Sequence, residues 1–163
     1  MKILGIDPGL SGAIAILEDK KVLNMFDMPV MAEGKKNKRQ LNSALLVNII
    51  KDNINTNDET AVVVEQVNAM PGQGVTSMFN FGQTFGAIKG ICAALDLPIF
   101  FVRPSKWKKH FELINSSKDA SRTKAIEMYP KLSNQLSKKK DVNKSDAILI
   151  ARFFSETRLI EEK

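Results

Sequence analysis

The segment Ala61-Val62-Val63-Val64-Glu65 constrains the fold of this chain more than any other. Its apolar residues do not alternate with polar ones, and three are β-branched. A strand built from them is apolar on both faces and belongs inside a sheet, with neighbours on both sides and helices over both surfaces. Short apolar runs at 2–7, 12–18 and 22–28 also read as strands. Asp7-Pro8-Gly9 and a hairpin tip at Glu18-Asp19-Lys20-Lys21 separate them, which predicts an antiparallel meander. Ile99-Phe100-Phe101-Val102 supplies a fifth strand. A helix over 41–52 is expected to turn Leu41, Leu45 and Ile49 inward. A long helix follows over 75–95, and another starts near Pro104. Ser117 is the expected cap of a further helix ending near Met128, before Pro130. The last helix covers about 144–157, with Ala147, Ile148, Ala151 and Phe154 inward. Residues 29–40, with Lys35, Lys36, Lys38 and Arg39, read as a mobile loop; 66–74 and 131–142 read as loops. The expected fold class is α/β, a mixed five-stranded sheet flanked by helices.

At 163 residues the chain suits one domain, 1–163, and leaves no room for a second lobe. The single cysteine, Cys92, excludes a disulfide framework, and one Cys with one His excludes a structural zinc site. A catalytic triad could draw only on His110, which reads as a surface histidine. No apolar run approaches the roughly 18 residues of a membrane span. The first strand is broken by Asp7 and Pro8-Gly9 before a signal peptide could develop. A soluble cytoplasmic protein without a membrane partner is expected. The 24 Lys+Arg exceed the 18 Asp+Glu by 6, which makes nucleic acid the first partner to consider.

Three acids stand at the ends of apolar elements. Asp7 closes the first strand, Glu65 closes the 61–65 strand, and Asp146 falls in the first turn of the last helix. If the two strands are neighbours, Asp7 and Glu65 emerge together, and a helix packed on the sheet can bring Asp146 to them. Clustered carboxylates repel one another without a cation. Their hard oxygens suit Mg²⁺ or Mn²⁺, and two such ions suit phosphodiester cleavage. The plainer reading is that these acids cap helices or face solvent, Asp146 simply favouring a helix N-terminus.

Gly5-Ile6-Asp7-Pro8-Gly9-Leu10-Ser11-Gly12 resembles the opening of the RuvC family of Holliday-junction resolvases. So do Val64-Glu65-Gln66-Val67, the later Phe81-Gly82-Gln83-Thr84-Phe85-Gly86, and Ser145-Asp146-Ala147-Ile148-Leu149-Ile150-Ala151. The order and spacing agree over nearly the whole chain, and its Lys- and Asn-rich character is most like phage or low-GC bacterial members. The resemblance implies an RNase H-like fold, a homodimer, divalent-metal dependence, and paired nicks across a four-way DNA junction in the nucleoid. It assigns metal-ligand roles to Asp7, Glu65 and Asp146. It also implies that Lys108 contacts the scissile phosphate and that Lys118 matches a second family lysine. The remaining candidates for DNA contact are Lys106, Lys109, Lys138, Lys139 and Lys140. No pattern names a helicase partner.

The chain departs from the family pattern at two places. Asn143 stands where the family has a further acid, three residues before Asp146. Asp141 takes over as fourth catalytic ligand if the last helix starts late or unwinds, and Asp141→Asn is then expected to impair cutting more than Asn143→Ala. At Asn68 the family commonly has a stacking aromatic. Met70, Phe79 or Phe81 can replace it, against a plain core role for each phenylalanine. Gly82, Gly86 and Gly90 recur every four residues, a flat stripe either for a dimer contact or for the protein's own sheet. Trp107, set among Lys106, Lys108 and Lys109, either meets DNA or anchors the core. Three other functions compete: a broader branched-DNA or flap nuclease of this fold, an ATP-binding actin-like domain, and a non-catalytic nucleic-acid-binding module. The actin-like reading needs two lobes, and the silent module sits poorly with three retained carboxylates.

Overall fold

The computed structural model of the chain describes residues 1–34, 38–55 and 57–161, with 159–161 described as backbone only. Five strands form the main sheet: β1 (Lys2–Asp7), β2 (Ala13–Glu18), β3 (Lys21–Asp27), β6 (Thr60–Glu65) and β7 (Ile99–Val102), in the order β3-β2-β1-β6-β7. The meander β1-β2-β3 is antiparallel, whereas β6 runs parallel to both β1 and β7. Two residues, Asp19 and Lys20, turn the β2–β3 hairpin with φ of 47° and 65°, the left-handed pair that matches strand twist. The Tyr129 hydroxyl donates to Lys20 O at 2.9 Å and braces this tip.

Alternation along the strands divides the core. Ile3, Ala13, Ala15, Leu17 and Val63 face one side and meet α5 (Val142–Glu161). Leu4, Ile6, Ile14, Ile16, Val62 and Val64 face the other side, under α1 (Ser43–Asn53) and α2 (Val75–Ala94). All of Ala147–Ala151 is buried, so α5 is covered all round at its middle, by the sheet on one side and by α3 (Pro104–His110) and α4 (Ala120–Met128) on the other. Gly5 makes this contact close. A Cβ built there would stand 2.1 Å from Ala147 O and 2.9 Å from the Ala151 Cβ. Only a residue without a side chain lets α5 lie this near β1.

Several expectations need correction. Within 29–40, Val30–Ala32 (β4) and Arg39–Leu41 (β5) pair as a small antiparallel ribbon instead of a mobile loop. Of its basic cluster, Lys38 and Arg39 are exposed, while Lys35 and Lys36 lie outside the described residues. Helix α1 begins after Asn42, whose Oδ1 accepts from Leu45 N at 3.0 Å; it buries Leu46 and Ile50, with Ile49 half-buried against the same core and Leu45 exposed. Helix α4 begins after Asp119, not Ser117, because Ser117 O already accepts from Ala120 N in a preceding turn. The 131–142 stretch contains short 3-10 turns at Pro130–Leu132 and Lys139–Asp141. Helix α5 therefore starts at Val142, which puts Asp146 in its second turn. No described helix is long and apolar enough to cross a membrane.

Candidate active site

Side-chain alternation delivers the first two acids to one face. Ile3 and Gly5 point toward α5, so Asp7, two residues on, does the same at the end of β1. Val63 faces the same side, and Glu65 follows it at the end of β6. Since Ile6 pairs with Val64, the two carboxylates leave parallel neighbouring strands at one end. Asp146 precedes Ala147, the residue whose carbonyl rests against Gly5, so the close approach of α5 brings the third acid over this end of β1. The turn after Asp7 is equally tight. Gly12 N donates to Gly9 O at 2.8 Å, and a Cβ at Gly12 would come 2.0 Å from Asp7 O. Gly9 N reaches Asp7 Oδ1 at 3.5 Å.

The three carboxylates act on one another. Burial pushes the Asp7 carboxyl up to about 7, and the charges of Glu65 and Asp146 push the same way. Burial likewise raises Asp146 to about 6, with Glu65 adding to the rise. Glu65 is raised by burial, opposed by Trp107 and Lys108. Lys118 offsets part of the negative charge at both Asp7 and Asp146, and Lys108 does so at Glu65 and Asp146. Among the described residues, no three Asp, Glu, His or Cys side chains close into a finished ion cage. The chemistry nevertheless fits a hard divalent cation. The site brings together three carboxylates whose charges repel one another, which is the donor chemistry a hard divalent cation takes.

The basic side chains fall into two groups. Lys108 lies 5.3 Å over the Trp107 ring, beside the acids, and Lys118 is on the exposed turn before α4. Lys106 and Lys109 are exposed on α3. Lys138, Lys139 and Lys140 are exposed before α5, and the Arg122 guanidinium, donating to Leu136 O at 3.0 Å, ties that stretch to α4. Lys139 consequently acts on Asp119, next to Lys118. Of the lysines of 106–109, 118 and 138–140, Lys108 and Lys118 are the ones that act on the three acids.

The structure does not bring Asp141 into the cluster. Its Oδ2 accepts from Lys138 N at 2.9 Å, its Oδ1 lies 3.6 Å from Lys144 Nζ, and the residue is buried. Because α5 begins at Val142 and is helical through this region, the late start that would free Asp141 does not occur. Asn143 instead lies three residues before Asp146, on the same helix face. Its Nδ2 donates to Lys140 O at 3.4 Å.

Trp107 is fully buried and anchors the core, with its indole N–H donating to Glu65 Oε2 at 2.7 Å. His110 pairs with Glu156 at 2.6 Å, away from the acids. Ser121 escaped the sequence reading. Its hydroxyl is buried beside Asp146 and favours the ionised carboxylate, although no partner completes good hydrogen-bond geometry with it. Nothing in sequence spacing signals that neighbour. Beyond Glu65, a cavity of about 290 Å³ opens between Asn68, Gln73, Ser77 and the rings of Phe81 and Phe85. Met70 and Phe79 are 60% and 65% exposed, which overturns a core role for Phe79. Nothing within 4 Å faces Gly82, Gly86 or Gly90, so the stripe does not pack on the protein's own sheet.

The model of the family described as crossover junction endodeoxyribonuclease RuvC matches residues 3–153. No curated protein matches at a significant level. Among solved structures, Thermus thermophilus RuvC in complex with a Holliday junction substrate is similar at a TM-score of 0.59 and 16% identity, over 96% of this chain and 96% of that one. A second T. thermophilus RuvC structure gives 0.56 and 18%, over 97% of each chain. These similarities carry the fold, and the family match carries the activity. The chain belongs to the RuvC family of crossover junction endodeoxyribonucleases, the Holliday-junction-resolving nucleases.

Proposed function

We propose that this chain cuts four-way DNA junctions with Asp7, Glu65 and Asp146 as ligands of two Mg²⁺ ions, which Mn²⁺ can replace. The observation that supports this is the convergence of the three acids from β1, β6 and α5, each raised by burial, with Lys108 and Lys118 beside them. When bound, the ions supply an activated water and stabilise the leaving oxygen of the cleaved phosphodiester. The protein's own groups do the rest. Lys108 offsets charge that builds on the reacting phosphate, and Lys118 holds the phosphate against the acids. Lys106, Lys109 and Lys138–Lys140 grip the flanking backbone without reading sequence. Asn143 offers a neutral carbonyl oxygen at the position of the family's fourth acid.

The acting species is a homodimer. Two opposed nicks need two sites in a two-fold arrangement, and each chain has one acidic cluster. The face of α2 that carries Val75, Phe79, Gly82, Gly86 and Gly90 is exposed, and its glycine lane lets a second copy of the helix approach closely. Cleavage of four-way junctions, forks, flaps and linear duplex, each with Mg²⁺ or Mn²⁺, tests the reading. Junctions should be cut far faster than linear duplex. Equal rates on all four would contradict it.

A further inference from the structure

We propose that Trp107 is the positioning residue of Glu65: its indole N–H holds Oε2 and leaves Oε1 to face the metal and the other two acids. The inference rests on the reading of Glu65 as a metal ligand. The hydrogen bond is 2.7 Å long and joins residues 42 apart in sequence. Short strand-borne connections set its geometry. Glu65 pairs with Val102 on β7, Gln66 N donates to Val102 O at 2.8 Å, and α3 starts two residues later at Pro104. Trp107 lies one turn into that helix, fully buried among Phe111, Ala125 and Leu136.

A core anchor requires bulk and any acceptor for its N–H. Here the acceptor is the carboxylate at the end of β6, an interior strand of the sheet. A donor to a carboxylate makes a strong, directional bond that fixes which oxygen is left free. One packed, rigid ring therefore fixes the rotamer of a ligand, and it carries Lys108 on its face at 5.3 Å. Partners that orient metal ligands in this way are typically worth 10- to 100-fold in metal affinity.

Trp107→Phe keeps most of the bulk and removes the donor. The test measures the Mg²⁺ concentration for half-maximal junction cutting, the Mg²⁺-induced rise in Tm of the free protein, and junction Kd in EDTA. Trp107→Phe should raise the half-maximal Mg²⁺ about tenfold or more, shrink the Tm rise, and leave the Kd unchanged. A folded Trp107→Phe protein with wild-type Mg²⁺ dependence would overturn the proposal, because a purely structural role lowers Tm without moving that midpoint. Trp107 is the sole tryptophan, so its emission gives a second readout without touching the residue. Mg²⁺ should shift that emission in the wild type and not in Glu65→Gln. If Trp107→Phe fails to fold, the absence of a shift in the wild type would overturn the proposal. Glu65→Gln tests the ligand reading separately: if it cuts with normal Mg²⁺ dependence, Glu65 is no ligand, whatever Trp107 does.

Discussion

Lys108 and Lys139 differ in their surroundings, and the proposed function gives them different work. Lys108 acts on Glu65 and Asp146, whereas Lys139 is exposed and acts on Asp119. A lysine that offsets charge in the transition state lowers the rate on bound DNA when it is removed; one that only attracts phosphate weakens binding. Lys108→Ala should therefore lose on the order of 10²-fold in single-turnover rate on saturated junction. Lys139→Ala should keep that rate, raise Kd, and flatten the salt dependence by roughly one unit of slope. If both variants change only affinity, Lys108 belongs to the general phosphate-binding surface. Asp141 and Asn143 separate in a similar way. Asp141→Asn keeps an acceptor for Lys138 N but loses the ion pair with Lys144, so its unfolding free energy should fall by about 1 kcal/mol or less while cutting at saturating Mg²⁺ persists. Asn143→Ala should lower cutting with little change in stability. Chemical denaturation and cleavage assays on the two proteins decide the ranking, and the reverse ranking would return the fourth ligand position to Asp141.

At the scale of elements, the site depends on how near α5 lies to β1. Gly5→Ala would place a methyl against Ala147 O and the Ala151 Cβ. Overpacking of this kind costs about 1–3 kcal/mol, and moving α5 outward carries Asp146 away from Asp7. Junction binding should survive at temperatures where the variant is folded, while cutting falls; unchanged cutting would show that the α5 approach does not set the site. Much of this arrangement was legible in the sequence. The two-faced apolar run of β6 demanded a central strand, and the acids at the ends of β1 and β6 followed from their positions alone. Other features were not legible, for particular reasons. Leu45-Leu46 is a doubled apolar pair, so spacing could not show that Leu46 and not Leu45 faces inward. The β4–β5 ribbon is short and pairs only with itself, without an alternating pattern to reveal it. The start of α5 is hidden behind a lysine run and a 3-10 turn, which is why Asp141 was misplaced. The Trp107–Glu65 bond spans distant segments and exists only once β6 and β7 pair.

For the whole molecule, the exposed lane of α2 is where the proposed homodimer would meet. Glycines recurred visibly in the sequence, but which side they faced depended on the packing of α2 through Thr84, Ile88 and Cys92. A side chain on that lane should keep two copies apart. Gly86→Arg should sediment as a monomer at micromolar concentration and nick junctions singly, while its far-UV circular dichroism stays that of the wild type. A wild-type protein that sediments as a monomer and still makes paired cuts would remove the dimer from the account. The central claim, that one acidic cluster drawn from β1, β6 and α5 performs the cutting, has a more direct test. It is the single-turnover cleavage rate of Asp7→Asn, Glu65→Gln and Asp146→Asn on a saturated four-way junction in Mg²⁺. Each variant should bind the junction as the wild type does, because the proposal assigns the contacts to phosphate to the lysines, and each should cut at the background rate. Near-wild-type cutting by any one of the three would contradict the account by removing that residue from the site.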